Sequence, residues 1–125
     1  MHTVTRVIHF CYGHRLLDYR GKCRHLHGHN GKLEVTLRAA RLDKLGMVMD
    51  FNRIKSTIER WVKSALDHKM LLSREDPLAA VLRNSGEPVV LMSGNPTAEN
   101  IAKLVFARAQ ALKLPVVSVR LWETR

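Results

Sequence analysis

The stretch from 27 to 40 constrains the fold of this chain more than any other, because its side chains alternate in polarity. Neighbouring side chains of a strand point to opposite faces, so this alternation is typical of a strand with one buried face. Residues 2–11 are rich in β-branched and aromatic side chains and predict an antiparallel partner strand, with a basic loop over 12–26. The alternating residues are Leu33, Val35 and Leu37 against Glu34, Thr36 and Arg38.

Two long amphipathic helices are expected in the rest of the chain. Asp50 is a favourable N-terminal cap for a helix over 51–66, and Thr97 is one for a helix over 98–113. Each helix carries one apolar stripe at helical spacing, as a helix that packs on a sheet does. The stripes consist of Ile54, Ile58, Trp61, Val62, Ala65 and Leu66, and of Ile101, Val105, Ala109 and Leu112.

Shorter elements complete the predicted fold. Asp76-Pro77 begins a short helical piece, and residues 88–92 and 116–124 predict two more strands. One face of the last strand is expected to carry Val117, Val119, Leu121 and Glu123. The order predicts an α+β fold in a single domain over 1–125, with two long helices on one face of a four-stranded antiparallel sheet. The open edges of such a sheet must be covered, so we expect a homo-oligomer.

The composition favours a globular protein with a basic surface. Lysine and arginine number 21 against 11 acidic residues, and a net charge of +10 attracts polyanions such as nucleic acids or phosphorylated metabolites. A basic surface without a ligand is the alternative. We expect a cytoplasmic protein, because no apolar run predicts a membrane span and the first residues lack the pattern of a signal peptide. Cys11 and Cys23 are the only cysteines, which excludes a Cys₄ zinc site and suits a reducing compartment.

A histidine-rich segment carries the strongest chemical signal. Five of the seven histidines lie between 9 and 29. His27 and His29 are two residues apart, so on a strand both imidazoles point to one face and can converge on a metal ion. His14 is within reach as a third ligand, and three histidines with one open position are a known ligand set of catalytic zinc. The alternative is a surface hairpin that is merely rich in histidine.

Three further positions are candidates for acid–base chemistry or binding. Cys23 lies between two basic residues that favour a thiolate, so it is a candidate base beside the metal; a fourth ligand or an inert thiol are the alternatives, and Cys11 is read as structural. Asp67-His68 follows the first helix and suits a carboxylate-supported proton-transfer pair, or simply a histidine at a helix end. Glu123 could grip an amidine-like N–H pair, or lie in water at the end of its strand.

The motifs of this chain, taken in order, resemble those of the 6-pyruvoyltetrahydropterin synthase and 6-carboxytetrahydropterin synthase family over nearly the whole chain. The three-residue gap between Cys23 and His27 is similar to that of the bacterial 6-carboxytetrahydropterin synthase branch. The motifs are Cys23-x-x-x-His27-Gly28-His29-Asn30, Gly46-Met47-Val48-Met49-Asp50-Phe51, Leu66-Asp67-His68, Asn95-Pro96-Thr97-Ala98-Glu99-Asn100-Ile101-Ala102 and Trp122-Glu123-Thr124.

This resemblance implies a tunnelling fold (T-fold), in which an antiparallel sheet with two helices on one face trimerises into a barrel. Two trimers would stack into a hexamer, with active sites at subunit boundaries. It implies conversion of 7,8-dihydroneopterin triphosphate to 6-carboxy-5,6,7,8-tetrahydropterin, with release of acetaldehyde and triphosphate, in the route to 7-deazapurines such as queuosine. The alternatives are a triphosphate elimination of the 6-pyruvoyltetrahydropterin synthase type, or a basic zinc-containing nucleic-acid-binding module. Few aromatic residues and no zinc-finger spacing disfavour the last.

The resemblance also assigns roles to individual positions. The zinc ligands of the family match His14, His27 and His29. Its proton acceptor matches Cys23, and its charge-relay positions match His68 and Glu123. Asp67 matches the carboxylate partner of that histidine. The positions that bind the pterin match Glu123 and Thr97. We further expect the triphosphate to be held by basic residues of the first third, including Arg15, Arg20, Lys22 and Arg24.

Three positions depart from the pattern of the family. Gly31 stands where an aromatic residue usually follows the HGHN motif, and Leu72 stands where asparagine is usual. Tyr12 replaces one of the two small residues that precede the first zinc-binding histidine, so its side chain is expected close to the metal. The metal and acid–base positions are intact, so these changes bear on substrate specificity more than on catalysis.

Overall fold

Five strands form one mixed sheet in the computed structural model, which describes residues 1–123. The strands are β1 (His2–His14), β2 (His27–Ala39), β3 (Lys69–Ser73), β4 (Val89–Met92) and β5 (Val116–Glu123), in the spatial order β4-β3-β1-β2-β5. The long β1–β2 pair is antiparallel, from His2 opposite Ala39 to His14 opposite His27, which confirms the prediction from the alternating stretch. β1 continues three residues beyond its predicted end, so it carries His14 on the strand itself.

The prediction of a four-stranded antiparallel sheet is wrong, because β3 is a fifth strand and pairs in parallel with both β1 and β4. This strand was not predicted because Met70-Leu71-Leu72 is a short apolar run, and its sequence alone does not show whether it is a buried strand or the end of the preceding helix. A helix connects β3 to β4, and strands joined by such a crossover pair in parallel. Leu72, one of the three departures from the family pattern, is a fully buried residue of β3.

The helices begin where the sequence predicts. The first long helix runs through α1 (Phe51–Ile54), a π-helical segment (Lys55–Glu59) and α2 (Arg60–Ala65), and is followed by α3 (Leu78–Asn84) and α4 (Ala98–Ala111). Asp50 Oδ1 accepts the Asn52 N–H at 2.8 Å, and Thr97 Oγ1 accepts the Asn100 N–H at 3.1 Å, so both predicted caps are confirmed.

The core lies between one face of the sheet and the two long helices. Ile8, Leu33 and Val35 from the sheet are fully buried, as are Ile58 and Val105 from the helices. Burial of each such side chain contributes about 1.5–3 kcal/mol, so these apolar stripes hold both helices on one face of the sheet, as predicted.

One detail of β5 differs from the prediction. The pairing of β2 with β5 shifts register between Thr36 and Leu37, where a β-bulge interrupts the alternation. Val116 is therefore the buried residue at this point, and Val117 is 39% exposed instead of sharing the inner face with Leu121. Among residues 1–123, no helix is long and apolar enough to cross a membrane.

Candidate functional site

Three histidine side chains converge at one end of the β1–β2 pair. His14 is the last residue of β1, while His27 and His29 begin β2 and point to the same face because they are two residues apart. The ring centroids lie 4.5 Å apart for His14 and His27, 5.1 Å for His14 and His29, and 5.0 Å for His27 and His29. One nitrogen of each ring lies within 4.8 Å of the others, which is the geometry of a group that can hold one metal ion.

The outer nitrogens of two of these rings are fixed by backbone carbonyl groups. His14 Nδ1 lies 2.6 Å from the carbonyl oxygen of Pro96, and His27 Nδ1 lies 2.7 Å from that of His25. A carbonyl can only accept, so each Nδ1 carries the proton and each Nε2 presents a lone pair. Carbonyl groups orient the metal-binding histidines of known sites in this way.

The inner nitrogens of His14 and His27 are suited to binding a metal ion. Among residues 1–123, Nε2 of His14 and Nε2 of His27 are buried and have no hydrogen-bond partner. A buried polar atom without a partner costs about 1–3 kcal/mol, which coordination of a cation would remove. Burial lowers the pKa of His14, so this ring stays neutral and able to bind a metal. The donor set of three imidazoles suits zinc.

Glu123 lies beside the histidines. Its Oε1 is 4.0 Å from His14 Nε2 and its Oε2 is 3.8 Å from His29 Nε2, and its side chain is 27% exposed. The Tyr12 hydroxyl donates a hydrogen bond of 2.5 Å to Oε1. Burial, together with this carboxylate, raises the pKa of Tyr12 far above its usual value, so the phenol remains a proton donor.

A second group of polar side chains surrounds the start of β3. Asp67 Oδ1 lies 3.1 Å from His68 Nδ1 and accepts the Cys11 N–H at 2.8 Å, while the His68 N–H donates to the Cys11 carbonyl at 2.7 Å. Burial acts to raise the pKa of Asp67, but the hydrogen bonds from Cys11 and His68 outweigh it and the pKa is lowered. The predicted carboxylate–imidazole pair is therefore formed, with the His68 side chain 79% exposed.

The two groups are separate in one chain. Within residues 1–123, the atoms able to bind metal form one cluster from the three histidines and another from Cys11, Asp67 and His68. Cys11 lies between two residues whose rings face the core, so its side chain points to the other face of the sheet, where Sγ lies 3.0 Å from Asn30 Oδ1. An open cleft of about 650 Å³ borders both clusters, and its lining includes His29 and His68.

Comparisons with known proteins agree with this architecture. The sequence profile of the 6-pyruvoyl tetrahydropterin synthase family matches residues 3–125. The chain belongs to the 6-pyruvoyl tetrahydropterin synthase family. It is 43% identical over 100 residues to the 6-carboxy-5,6,7,8-tetrahydropterin synthase of Rickettsia typhi, covering 78% of this chain and 72% of that protein. It is 32% identical over 133 aligned positions to the enzyme of that name from Haemophilus influenzae, covering 99% of this chain and 94% of that one.

Solved structures show the same fold. An uncharacterised protein from Wolinella succinogenes superposes with a TM-score of 0.79 at 29% identity, covering 98% of this chain and 93% of that one. The 6-pyruvoyl tetrahydropterin synthase of Caenorhabditis elegans superposes with a TM-score of 0.65 at 21% identity, covering 98% of this chain and 95% of that one. The chain therefore has the fold of the 6-pyruvoyl tetrahydropterin synthase family, as the sequence predicts, but with a mixed five-stranded sheet in place of the expected four-stranded antiparallel one.

Other positions predicted from the sequence lie outside the histidine cluster. Cys23 is half-buried in a 3₁₀ turn (Lys22–Arg24), and within residues 1–123 its sulfur belongs to neither metal-binding cluster. Thr97 uses its hydroxyl to cap α4. Arg15 donates to both oxygens of buried Asp76, at 2.5 and 2.8 Å, so much of its hydrogen-bonding capacity is already used.

Two neighbours of these clusters were not predicted as functional residues. Tyr12 was expected near the metal, but its hydrogen bond to Glu123 joins residues 111 positions apart, which no local pattern reveals. Cys11 was read as structural, although it lies against the Asp67–His68 pair. Once the register of β1 is known, the alternation of Cys11 with the buried Phe10 and Tyr12 predicts that Cys11 lies on the opposite face of the sheet.

Proposed function

We propose that this chain is a zinc-dependent lyase that converts 7,8-dihydroneopterin triphosphate to 6-carboxy-5,6,7,8-tetrahydropterin, releasing acetaldehyde and triphosphate. The observation that carries the proposal is the convergence of three imidazoles, two of them with buried, unpartnered Nε2 atoms among residues 1–123. Relatives named 6-carboxy-5,6,7,8-tetrahydropterin synthase support the substrate and product. The reaction would serve the synthesis of 7-deazapurines such as queuosine, in the cytoplasm.

His14, His27 and His29 would hold the zinc ion. Three protein ligands leave one coordination position for the substrate, as is typical of catalytic zinc. When bound, zinc acts as a Lewis acid that polarises substrate oxygens and acidifies the neighbouring C–H bond. The carbonyl groups of Pro96 and His25 keep the two outer Nδ1 atoms protonated, so the ligand set is oriented before the metal binds.

Proton transfer would be divided between Cys23 and His68. Cys23 accepts the proton from the substrate carbon, and His68 returns one, with Asp67 orienting its ring and stabilising its charged form. Glu123 grips the N–H groups of the pterin ring, to which it can present both carboxylate oxygens. Thr97 would line the same pocket, at the start of α4.

We propose that the working form is a trimer or hexamer. The edge strands of the sheet, β4 and β5, carry unpaired backbone groups that sheet extension between copies would satisfy. Since Asp67 and His68 form a separate cluster from the histidines in one chain, a site at a subunit boundary would let one copy supply them to the zinc of another. The single domain over 1–125 would be the repeating unit.

Product analysis tests this function directly. Purified protein of known zinc content is incubated with 7,8-dihydroneopterin triphosphate, and the products are identified by mass spectrometry. Carboxytetrahydropterin with acetaldehyde is expected, and Cys23→Ala should abolish its formation. A product that keeps all three side-chain carbons would instead identify the pyruvoyl-type elimination. Salt-sensitive binding of RNA or DNA without turnover would favour the nucleic-acid-binding module.

A further inference from the structure

Two of the departures from the family pattern meet at one place in the structure. Gly31 lies opposite Phe10 in the β1–β2 pair and opposite Glu123 in the β2–β5 pair. A Cβ atom at Gly31 would come within 2.8 Å of Phe10 Cε1 and 3.0 Å of Tyr12 Cε1, closer than packed carbon atoms normally approach. The missing side chain at Gly31 is therefore what leaves room for these two rings.

The ring of Tyr12 packs against three other rings. It stacks on Phe10 with centroids 5.0 Å apart, meets His14 edge-on at 5.2 Å, and lies 5.8 Å from His29. Tyr12 is only 3% exposed. This packing aims the hydroxyl at Glu123 Oε1, 2.5 Å away. A hydroxyl on a packed ring has few alternative positions, so it restrains its carboxylate partner.

Glu123 needs such a restraint. It is the last residue of the edge strand β5, so neighbouring strands hold its backbone from one side only. Its oxygens lie 4.0 Å from His14 Nε2 and 3.8 Å from His29 Nε2, within the range from which a small rotation would bring the carboxylate onto a metal bound by these rings. A carboxylate bound to the metal would have fewer acceptor sites left for the substrate.

We propose that Tyr12 is a positioning residue that holds Glu123 away from the metal and available to the substrate. Gly31 provides the space in which the Tyr12 ring lies. The claim that Glu123 then binds the pterin rests on the proposed function. The claim that Tyr12 keeps Glu123 from the metal rests on the distances between Tyr12, Glu123 and the three histidines. The hydroxyl donates to Oε1 and not to Oε2, which lies 3.8 Å from His29 Nε2.

Removal of the hydroxyl tests the proposal. In Tyr12→Phe the ring packing is kept, so the melting temperature should stay within about 3 °C of that of the unmodified protein. Titration with Co²⁺ should show at least fivefold tighter binding and an altered visible spectrum, because Glu123 becomes free to bind the ion. KM for 7,8-dihydroneopterin triphosphate should rise at least fivefold, with kcat changed less than threefold. Tyr19→Phe, which removes a hydroxyl from a tyrosine that is 49% exposed, is the matched control.

A double-mutant cycle shows whether Tyr12 acts through Glu123. The gain in Co²⁺ affinity of Tyr12→Phe should disappear in Tyr12→Phe/Glu123→Gln, and the KM of the double variant should equal that of Glu123→Gln. Unchanged or weaker Co²⁺ binding by Tyr12→Phe, or additive effects in the cycle, would overturn the proposal. If the unmodified protein shows no turnover, the proposed function fails, and the Co²⁺ measurements alone decide the role of Tyr12.

Substitutions at Gly31, alone and combined with Tyr12→Ala, provide a second test. Gly31→Ala should displace the rings of both Phe10 and Tyr12 and reproduce the Co²⁺ and KM changes of Tyr12→Phe, with a lower melting temperature. Adding Tyr12→Ala to Gly31→Tyr should recover stability relative to Gly31→Tyr alone, since a ring at 31 then has the space that Tyr12 fills now. A double variant less stable than Gly31→Tyr would contradict the shared space.

Discussion

His14 Nδ1 is hydrogen-bonded to the carbonyl oxygen of Pro96 at 2.6 Å, which ties the end of β1 to the loop that precedes α4. Thr97, the next residue, caps that helix. The orientation of a metal-binding ring therefore depends on the position of Pro96, 82 residues further along the chain and just before the start of a helix. Asn95 adds to the same loop, because its side chain bonds both the N–H and the carbonyl of Leu17. The loop is thus tied to the end of β1 through Pro96 and to the segment after β1 through Asn95.

The histidine cluster predicts the metal content of the protein. We expect one zinc ion per chain, and His27→Ala should bind zinc at least 100-fold more weakly because one of three ligands is lost. Zinc at 100 times its dissociation constant should stabilise the unmodified protein by about 2.7 kcal/mol. Elemental analysis and thermal unfolding with and without zinc measure both effects. His9→Ala, in an exposed residue of β1, is the control and should behave as the unmodified protein.

Much of the fold could be predicted because it depends on local patterns. The alternation around Leu33 and the helical stripe around Ile58 each decide which face is buried, and burial then fixes the packing of helix on sheet. β3 could not be predicted in this way, because three consecutive apolar residues after a helix show neither the alternation of a half-buried strand nor the spacing of a helix. The bulge that buries Val116 instead of Val117 arises from the pairing of β2 with β5, which the sequence of either strand alone does not specify.

The candidate site likewise has features that the local sequence predicts and features that depend on the assembled sheet. His27 and His29 could be paired from their spacing, and the turn at Asp67-His68 from its place after a helix. The bond from Tyr12 to Glu123 depends on the registers of two strand pairs, β1 with β2 and β2 with β5. The contact of Cys11 with Asp67 depends on where the chain leaves the first long helix. Such contacts follow only from the assembled sheet.

The ion pair of Arg15 and Asp76 predicts a loss of stability in acid. Asp76 is 3% exposed, and the hydrogen bonds from Arg15 hold the pKa of its carboxyl below the usual value, against the opposing effect of burial. A lowered folded-state pKa stabilises the fold above the unfolded value of about 3.9, and this stabilisation is lost as the pH falls below it. The free energy of unfolding of Arg15→Ala should be about 3 kcal/mol lower at pH 7 and less altered at pH 3.

Chemical denaturation at several pH values measures this effect. Arg20→Ala is the matched control, since Arg20 is an exposed arginine of the same loop, and it should change the free energy of unfolding by less than about 0.5 kcal/mol. Equal losses for Arg15→Ala at pH 7 and pH 3 would show that the arginine stabilises the fold by packing rather than by its charge.

Asp67→Asn should slow the reaction without greatly weakening substrate binding. The carboxylate orients His68 and stabilises its charged form, which an amide cannot do. We expect kcat to fall roughly 10- to 100-fold with KM within about threefold, as measured by steady-state kinetics on zinc-loaded protein. Glu75→Gln, an exposed acidic residue, is the control for loss of a negative charge. A rise in KM with unchanged kcat would argue for a binding role of Asp67 instead.

The cap of α4 should affect metal binding as well as stability. Thr97→Ala removes the acceptor of the Asn100 N–H and should lower the free energy of unfolding by about 1 kcal/mol. Because the loosened residue adjoins Pro96, whose carbonyl orients His14, zinc affinity should also fall several-fold. Thr97→Ser keeps the hydroxyl and should restore both quantities. Thr57→Ala, in the middle of the first long helix, loses a hydroxyl that bonds only its own helix, so its zinc affinity should be unchanged. Equal zinc affinities for Thr97→Ala and Thr57→Ala would show that the cap of α4 does not affect metal binding.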